Sequence, residues 1–159
     1  MDYTIREMKK SEYPLLNDFL FESIFIPEGI EAPPKSIINI PEFQVYVSDF
    51  GSSKHDRALI AEIDGRVIGA VWVRIMNDYG HVNDETPSFA ISLYKEYRGL
   101  GIGIAMMREM LSILKASEYK QVSLSVQKAN YAVKMYQKVG FEIYSEKEEE
   151  YIMINNLQL

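Results

Sequence analysis

Arg98, Gly99, Gly101 and Gly103 stand in the run Tyr97-Arg98-Gly99-Leu100-Gly101-Ile102-Gly103-Ile104-Ala105, between a strand-like segment and a long amphipathic stretch. Glycine at three alternate positions removes the Cβ atoms that hold a ligand away from the main chain. A helix starting there leaves its first amide N–H groups unpaired and the positive end of its dipole open. Such a turn suits a phosphate; a loop that is merely tight would use the same residues. Two other phosphate motifs fail on spacing. A G-x-G-x-x-G would need glycine at Ile104 or at Met106, and no glycine-lysine-Ser/Thr tripeptide follows, which disfavours a Rossmann dinucleotide site and a Walker-type NTPase.

What stands instead is Arg-x-x-Gly-x-Gly, read as Arg98, Gly101 and Gly103. About forty residues continue the pattern: Gln121-Val122-Ser123-Leu124-Ser125-Val126, then Asn130, Ala132, Tyr136 and the pair Gly140-Phe141. Order and separation together resemble the GCN5-related N-acetyltransferase (GNAT) superfamily. The resemblance implies an α/β fold with a mixed, mostly antiparallel central sheet, splayed parallel central strands and helices on both faces. It implies acetyl-coenzyme A as cosubstrate, its pyrophosphate held by main-chain amides of Arg98, Gly99, Leu100, Gly101, Ile102, Gly103 and Ile104. Its pantetheine arm would lie in the gap between strands 86–93 and 121–126, against the backbone near Ile91 and Leu93 and beside Asn130. That is ligand binding by strand addition, whereas a continuously paired strand is the other reading of the same residues.

The resemblance also assigns chemistry. Tyr136 is the candidate acid that protonates the departing thiolate, and a phenol with a reference pKa of ~10 keeps its proton at neutral pH. Read alone, Tyr136 shares a stripe with Ala132 and Met135 and suits a core. For the base, Glu85 leads, ahead of Glu28 in a Pro27–Gly29 loop, with His81 and Asp84 also near the central strand; proton loss to water would need none of them. The Arg98 side chain suits either the anion or an ion pair with Glu96 or another acid. Lys95 occupies a position where many relatives carry proline. Asp78, Asp84, Glu85, Glu28 and Glu31 would form a negative mouth attracting a polyamine, an aminoglycoside, an amino-acid amine or a protein N-terminus. Trp72, Tyr79 and Phe25 would line that mouth or else belong to the core.

The elements that must position these groups follow from periodicity. Residues 3–8 read as a strand, and Ser11 as the cap of a helix carrying Leu15, Leu16, Phe19, Leu20 and Ile24. Pro27, Gly29, Pro33 and Pro34 make residues 26–35 a loop, followed by short helices over 36–40 and 41–47. Asp64-Gly65 closes a hairpin between strands 58–63 and 66–75, with Gly69 marking a bulge or a close contact. Residues 77–85 are polar and turn-rich. Beyond the glycine run, residues 104–117 form an amphipathic helix with Met106, Met110, Ile113 and Leu114 on one face. Strand 121–126 has one apolar and one polar face, as expected beside a partly solvated opening. Asn130 caps the next helix and Gly140 stops it. Strands 141–145 and 151–155 flank the charged run 146–150, a solvated turn.

Composition limits the alternatives. The 159 residues suit one domain spanning 1–159, with 47% apolar and 25% charged residues. A formal net charge of −6 argues against nucleic acid as a partner, so anionic ligand groups must be met locally. There is no cysteine, hence no thiol acyl-enzyme, and His55 and His81 are the two histidines, so no metal is expected. With neither a leader-like start nor a run of ~20 apolar residues, the expected location is the cytoplasm, with no membrane partner. The expected activity is direct acetyl transfer to a primary amine of a small molecule or peptide, by a chain for which a homodimer is possible. An acyl-coenzyme A sensor that has lost productive transfer is the main alternative, and a nucleotide-phosphate binder a third.

Overall fold

Asp64 and Gly65 take positive φ values of 50° and 81°, the backbone that an Asp-Gly turn requires. They join β2 (Arg57–Ile63) to β3 (Arg66–Arg74) in the computed structural model, which describes residues 2–158. The other strands are β1 (Thr4–Glu7), β4 (Ser88–Leu93), β5 (Gln121–Gln127), β6 (Glu142–Glu146) and β7 (Glu150–Asn156). They form one sheet in the order β1-β2-β3-β4-β5-β7-β6. Every neighbouring pair is antiparallel except β4 and β5.

Alternation along the central strands divides the core in two. Phe89 and Leu93 of β4, with Val122, Leu124 and Val126 of β5, pack with Met106, Met107, Met110 and Leu114 of α3 (Ile102–Ala116). Met135 and Tyr136 of α4 (Ala132–Lys138) lie against the same cluster. On the other face, Ile60, Ala70 and Trp72 pack with Leu16, Phe19 and Leu20 of α1 (Leu16–Glu22) and with Ile38. Ile38 belongs to a 3-10 turn preceding the short α2 (Pro41–Gln44). Trp72, Phe19 and Met106 are fully buried, each contributing about 1.5–3 kcal/mol relative to exposure.

Several local expectations are revised. Ser11 does not cap the first helix: a 3-10 turn starts at Lys10, and Glu12 reaches back to accept from the Lys9 amide at 2.8 Å. Arg6 holds the Glu12 carboxylate by two 2.9 Å bonds, and this charged clamp displaces the weaker hydroxyl cap. Gly69 combines both of its readings. Ala61 pairs with Gly69 but Glu62 pairs with Val67, leaving Ile68 as the bulge residue. A Cβ at Gly69 would also lie 2.8 Å from Leu93 Cγ.

The polar face of β5 faces a folded loop, not a solvated opening. Ser123 Oγ donates to Gly80 O at 2.7 Å, and a Cβ at Gly80 would come within 3.0 Å of the Leu124–Ser125 backbone. The β3–β4 connection therefore lies directly on β5, satisfying its serine in a dry environment.

Candidate functional site

β4 and β5 register through a single Cα pair, Ser88 with Ser123, at the start of β4. Beyond it, β4 stays paired to β3 as far as Leu93 with Gly69, and β5 stays paired to β7 along its whole length. Each strand is thus held on its outer side while the two diverge, which leaves inner-edge backbone groups of β4 without a ladder partner. The base of the fork is tied by Asp78, which accepts from Ser88 Oγ at 2.7 Å and Tyr46 Oη at 2.8 Å. Burial beside the Asp78 carboxylate pushes the Tyr46 phenol well above its ordinary range, so it remains a donor.

The fork opens into a cleft of about 900 Å³. Its floor is Ile91, Ser92 and Leu93, and one wall carries the glycine loop, Asn130, Met135 and Tyr136. The segment from Phe25 to Ile30 lines it as well. Gly99 and Gly101 have φ values of 76° and 85°, and a Cβ added at either would meet nothing within 4 Å. That combination of left-handed backbone and open space leaves the main chain of the turn uncovered. The first internal helical bond into this turn is Ala105 N–H to Gly101 O, at 3.2 Å. The amides of Gly99 to Ile104 have no main-chain acceptor among the described residues, whereas the Arg98 amide is already bonded to Lys95 O. The third glycine is not demanded by packing, since a Cβ at Gly103 would lie at ordinary contact distances, 3.4 Å from Leu93 Cδ1 and 3.8 Å from Met135 Cε.

The remaining sequence-derived residues separate into groups. Ile91, Leu93, Arg98, Gly99, Gly101, Gly103, Ile104, Asn130 and Tyr136 all line the cleft. Leu100 lies at the exposed tip of the turn and Ile102 is buried in the core; for these two, only the main chain is available to the cleft. Arg98 is a tether: Nε donates to Leu93 O at 2.9 Å and Nη2 to Glu22 O at 3.0 Å. Its acidic neighbour is Glu22, at 3.8 Å, while Glu96 pairs with Arg66. Asn130 Oδ1 accepts from the Ala132 amide at 2.9 Å, a side-chain turn just ahead of α4; the N-cap position expected for Asn130 is taken by Tyr131, which makes no side-chain cap bond. Tyr136 is half-buried, packs edge-on against Phe141 at 5.7 Å, and burial pushes its phenol up to about 12.

Glu85 is corrected by the geometry. It lies just before β4, at the opposite end of that strand from the glycine loop, and lines a separate hollow with Asn83 and Tyr119. His81 is occupied by Met76 O at 2.9 Å and by Asp84 at 3.4 Å. Glu28 is the base candidate that does line the cleft, joined there by Phe25; Trp72 is core. Glu22 was missed by sequence reasoning, because it is engaged chiefly through its carbonyl, and a main-chain acceptor leaves no trace in residue type. Among the described residues, no group of three or more metal-ligand side chains is placed to hold an ion.

A forked parallel pair with a glycine loop at its open end defines the acetyltransferase class of α/β folds. The model of the Acetyltransferase (GNAT) family matches residues 20–141, and the chain belongs to that family. An N-alpha-acetyltransferase of Sulfurisphaera tokodaii is 30% identical over 111 residues, covering 59% of this chain and 65% of the relative. The chain thus aligns with somewhat under two thirds of that protein's length. Solved structures with the same fold include a GNAT-family acetyltransferase from Streptococcus pneumoniae, with TM-score 0.69 and 23% identity over 98% of this chain and 99% of that one. The PaiA N-acetyltransferase from Thermoplasma acidophilum, solved in complex with coenzyme A, has TM-score 0.72 and 21% identity, again over 98% and 99%.

Proposed function

We propose that the chain is an acetyl-coenzyme A-dependent N-acetyltransferase that passes the acetyl group directly to a primary amine, acting in the cytoplasm. The observation that carries this reading is the convergence, in one cleft, of the unpaired amides of Gly99 to Ile104, the open edge of β4 and the phenol of Tyr136. Family membership and a relative crystallised with coenzyme A support it. No helix among the described residues is long and apolar enough to cross a membrane.

The residues fit such a ligand. A row of donors at a helix start matches a diphosphate, and an unpaired strand edge matches the amides of a thin pantetheine arm. When bound, the cosubstrate supplies a thioester, whose acyl group forms an amide and whose thiol is released. Tyr136 holds a proton at Oη on the cleft wall. With its pKa raised to about 12, the phenol stays neutral and protonated throughout the neutral range, ready to donate to a departing thiolate. Asn130 uses Oδ1 for the Ala132 amide, which leaves Nδ2 to donate toward the arm. Arg98 fixes the loop that carries the amides. Glu22 is engaged with Arg98 and Glu28 lies in the exposed lining of the cleft, where it meets the acceptor's ammonium while the proton leaves to water.

The test is thiol release from acetyl-coenzyme A across a library of amines, with product mass measured because hydrolysis also releases thiol. An acetylated amine is the expected result. Tight binding with no amide from any amine would instead identify an acyl-coenzyme A sensor.

A further inference from the structure

Of the acidic side chains expected to form a negative mouth, the fold leaves one at the cleft. Asp78 is caught between Tyr46 and Ser88. Asp84 and Glu85 precede β4, at the end remote from the glycine loop, and Glu85 lines the other hollow. Glu31 does not line the cleft and Glu22 is held by Arg98. Glu28 remains, in the lining of the cleft that also holds the glycine loop, with no ion-pair partner among the described residues.

Its surroundings are apolar. Ile30 donates its amide to Pro27 O at 3.1 Å and Gly29 has φ +83°, so Glu28 sits at the corner of a closed turn. Ile26 and Ile30 flank it, 38% and 62% exposed, and Phe25 lines the same cleft. Exposed isoleucines beside a cleft are surface that a ligand's apolar part can cover.

Resting on the acetyl-transfer reading, we infer that the acceptor carries one positive charge next to an apolar body, as an apolar N-terminal residue or an arylalkylamine does, in contrast to polyamines and aminoglycosides. One carboxylate compensates one ammonium. Each further ammonium of a polycation would be drawn against Phe25, Ile26 and Ile30 with no counter-charge, and an uncompensated charge loses more hydration than it regains. An apolar body gains at those same residues.

The experiment offers the intact chain, at saturating acetyl-coenzyme A, a tetrapeptide beginning with Leu, the same peptide beginning with Ser, phenethylamine, spermidine and kanamycin, with products identified by mass. The Leu peptide and phenethylamine should exceed spermidine and kanamycin at least tenfold in kcat/KM, and the better of the two tells a peptide source from a free amine. Glu28→Gln, an exposed turn substitution that leaves the fold intact, should raise KM for the preferred amine about tenfold with kcat little changed. Ile30→Ser should narrow the advantage of Leu over Ser severalfold. Preference for spermidine or kanamycin, or an unchanged KM in Glu28→Gln, overturns the acceptor class while leaving acetyl transfer standing. Absence of amide product from every amine, with acetyl-coenzyme A still bound, overturns the transfer reading and the acceptor class with it.

Discussion

The guanidinium of Arg98 donates to the carbonyl of Glu22, 76 residues earlier in the chain, joining the end of α1 to the glycine loop. The same side chain donates to Leu93 O, so one residue ties three walls of the cleft together. Arg98→Ala removes two charge-assisted bonds to main-chain acceptors. With the side chain about one third exposed, screening limits the loss to about 2 kcal/mol, a fall in Tm of about 4–8 °C. Arg98→Lys can restore one bond and should recover part of that fall. Thermal melts check both, and an unchanged Tm in Arg98→Ala would return the side chain to the role of anion ligand.

Gly101 tests the glycine loop. Its φ of +85° is costly for a β-branched residue even though space for a Cβ is open, at about 1–3 kcal/mol of strain. Gly101→Val should weaken coenzyme A binding more than tenfold in calorimetry on folded protein. Gly103→Ala makes ordinary contacts with Leu93 and Met135 and should keep its Tm within about 2 °C. Unchanged affinity in Gly101→Val would remove the loop from the site.

Asn130 has one observed bond, to the Ala132 amide, and one proposed contact, to the pantetheine arm. Aspartate keeps the oxygen that accepts from Ala132 but not the Nδ2 donor, so Asn130→Asp should preserve stability to within about 0.5 kcal/mol while losing coenzyme A affinity. Calorimetry beside thermal melts separates them. Equal losses in both would reduce Asn130 to a structural turn residue.

What the sequence makes legible is local. The Asp64-Gly65 turn, the left-handed glycines at 99 and 101 and the polar turn at Asn130 are each written in residues adjacent in the chain, where φ preferences and hydrogen-bond reach decide the outcome; the helix beyond Asn130 starts one residue later than its cap was expected to place it. The fold and its forked strands were readable through the joint motif, because spacing over forty residues carries topology. Contacts closed by tertiary packing are not legible in this way. Nothing in Ser123 and Ser125 announces that Gly80 will lie on them, nor does Arg74 announce its buried pairing with Asp56. The preference for Glu85 failed on strand direction: it precedes β4 while the loop follows it, and six residues at about 3.3 Å each separate the two ends.

Glu12 carries a pH dependence. Its hydrogen bonds from Arg6, opposed by desolvation and aided by the Lys9 amide, pull the carboxyl from an ordinary value of 4.5 down to about 2. A folded-state pKa below the unfolded one gives stability that is fully present above pH 4.5 and is lost as pH falls toward 2. Solvent screening of this partly exposed pair leaves about 1 kcal/mol. Glu12→Gln should therefore melt a few degrees below wild type at pH 7, with the gap closing between pH 4.5 and 2. A gap independent of pH would mean that the carboxylate charge contributes nothing.

Tyr136 tests the proposed chemistry. Tyr136→Phe keeps the edge-on packing against Phe141 and the apolar wall, so coenzyme A affinity and Tm should change little. Removing the proton donor should slow turnover ~10²–10⁴-fold where chemistry limits the rate. The pH profile adds an independent check. With the phenol raised to about 12, the acid stays protonated across the working range, so kcat/KM should climb with pH as the amine deprotonates, and the fall caused by losing the acid should begin only near pH 12. A descending limb near pH 9 that persists in Tyr136→Phe, or wild-type turnover in that variant, would make Tyr136 a packing residue and assign thiolate protonation to water.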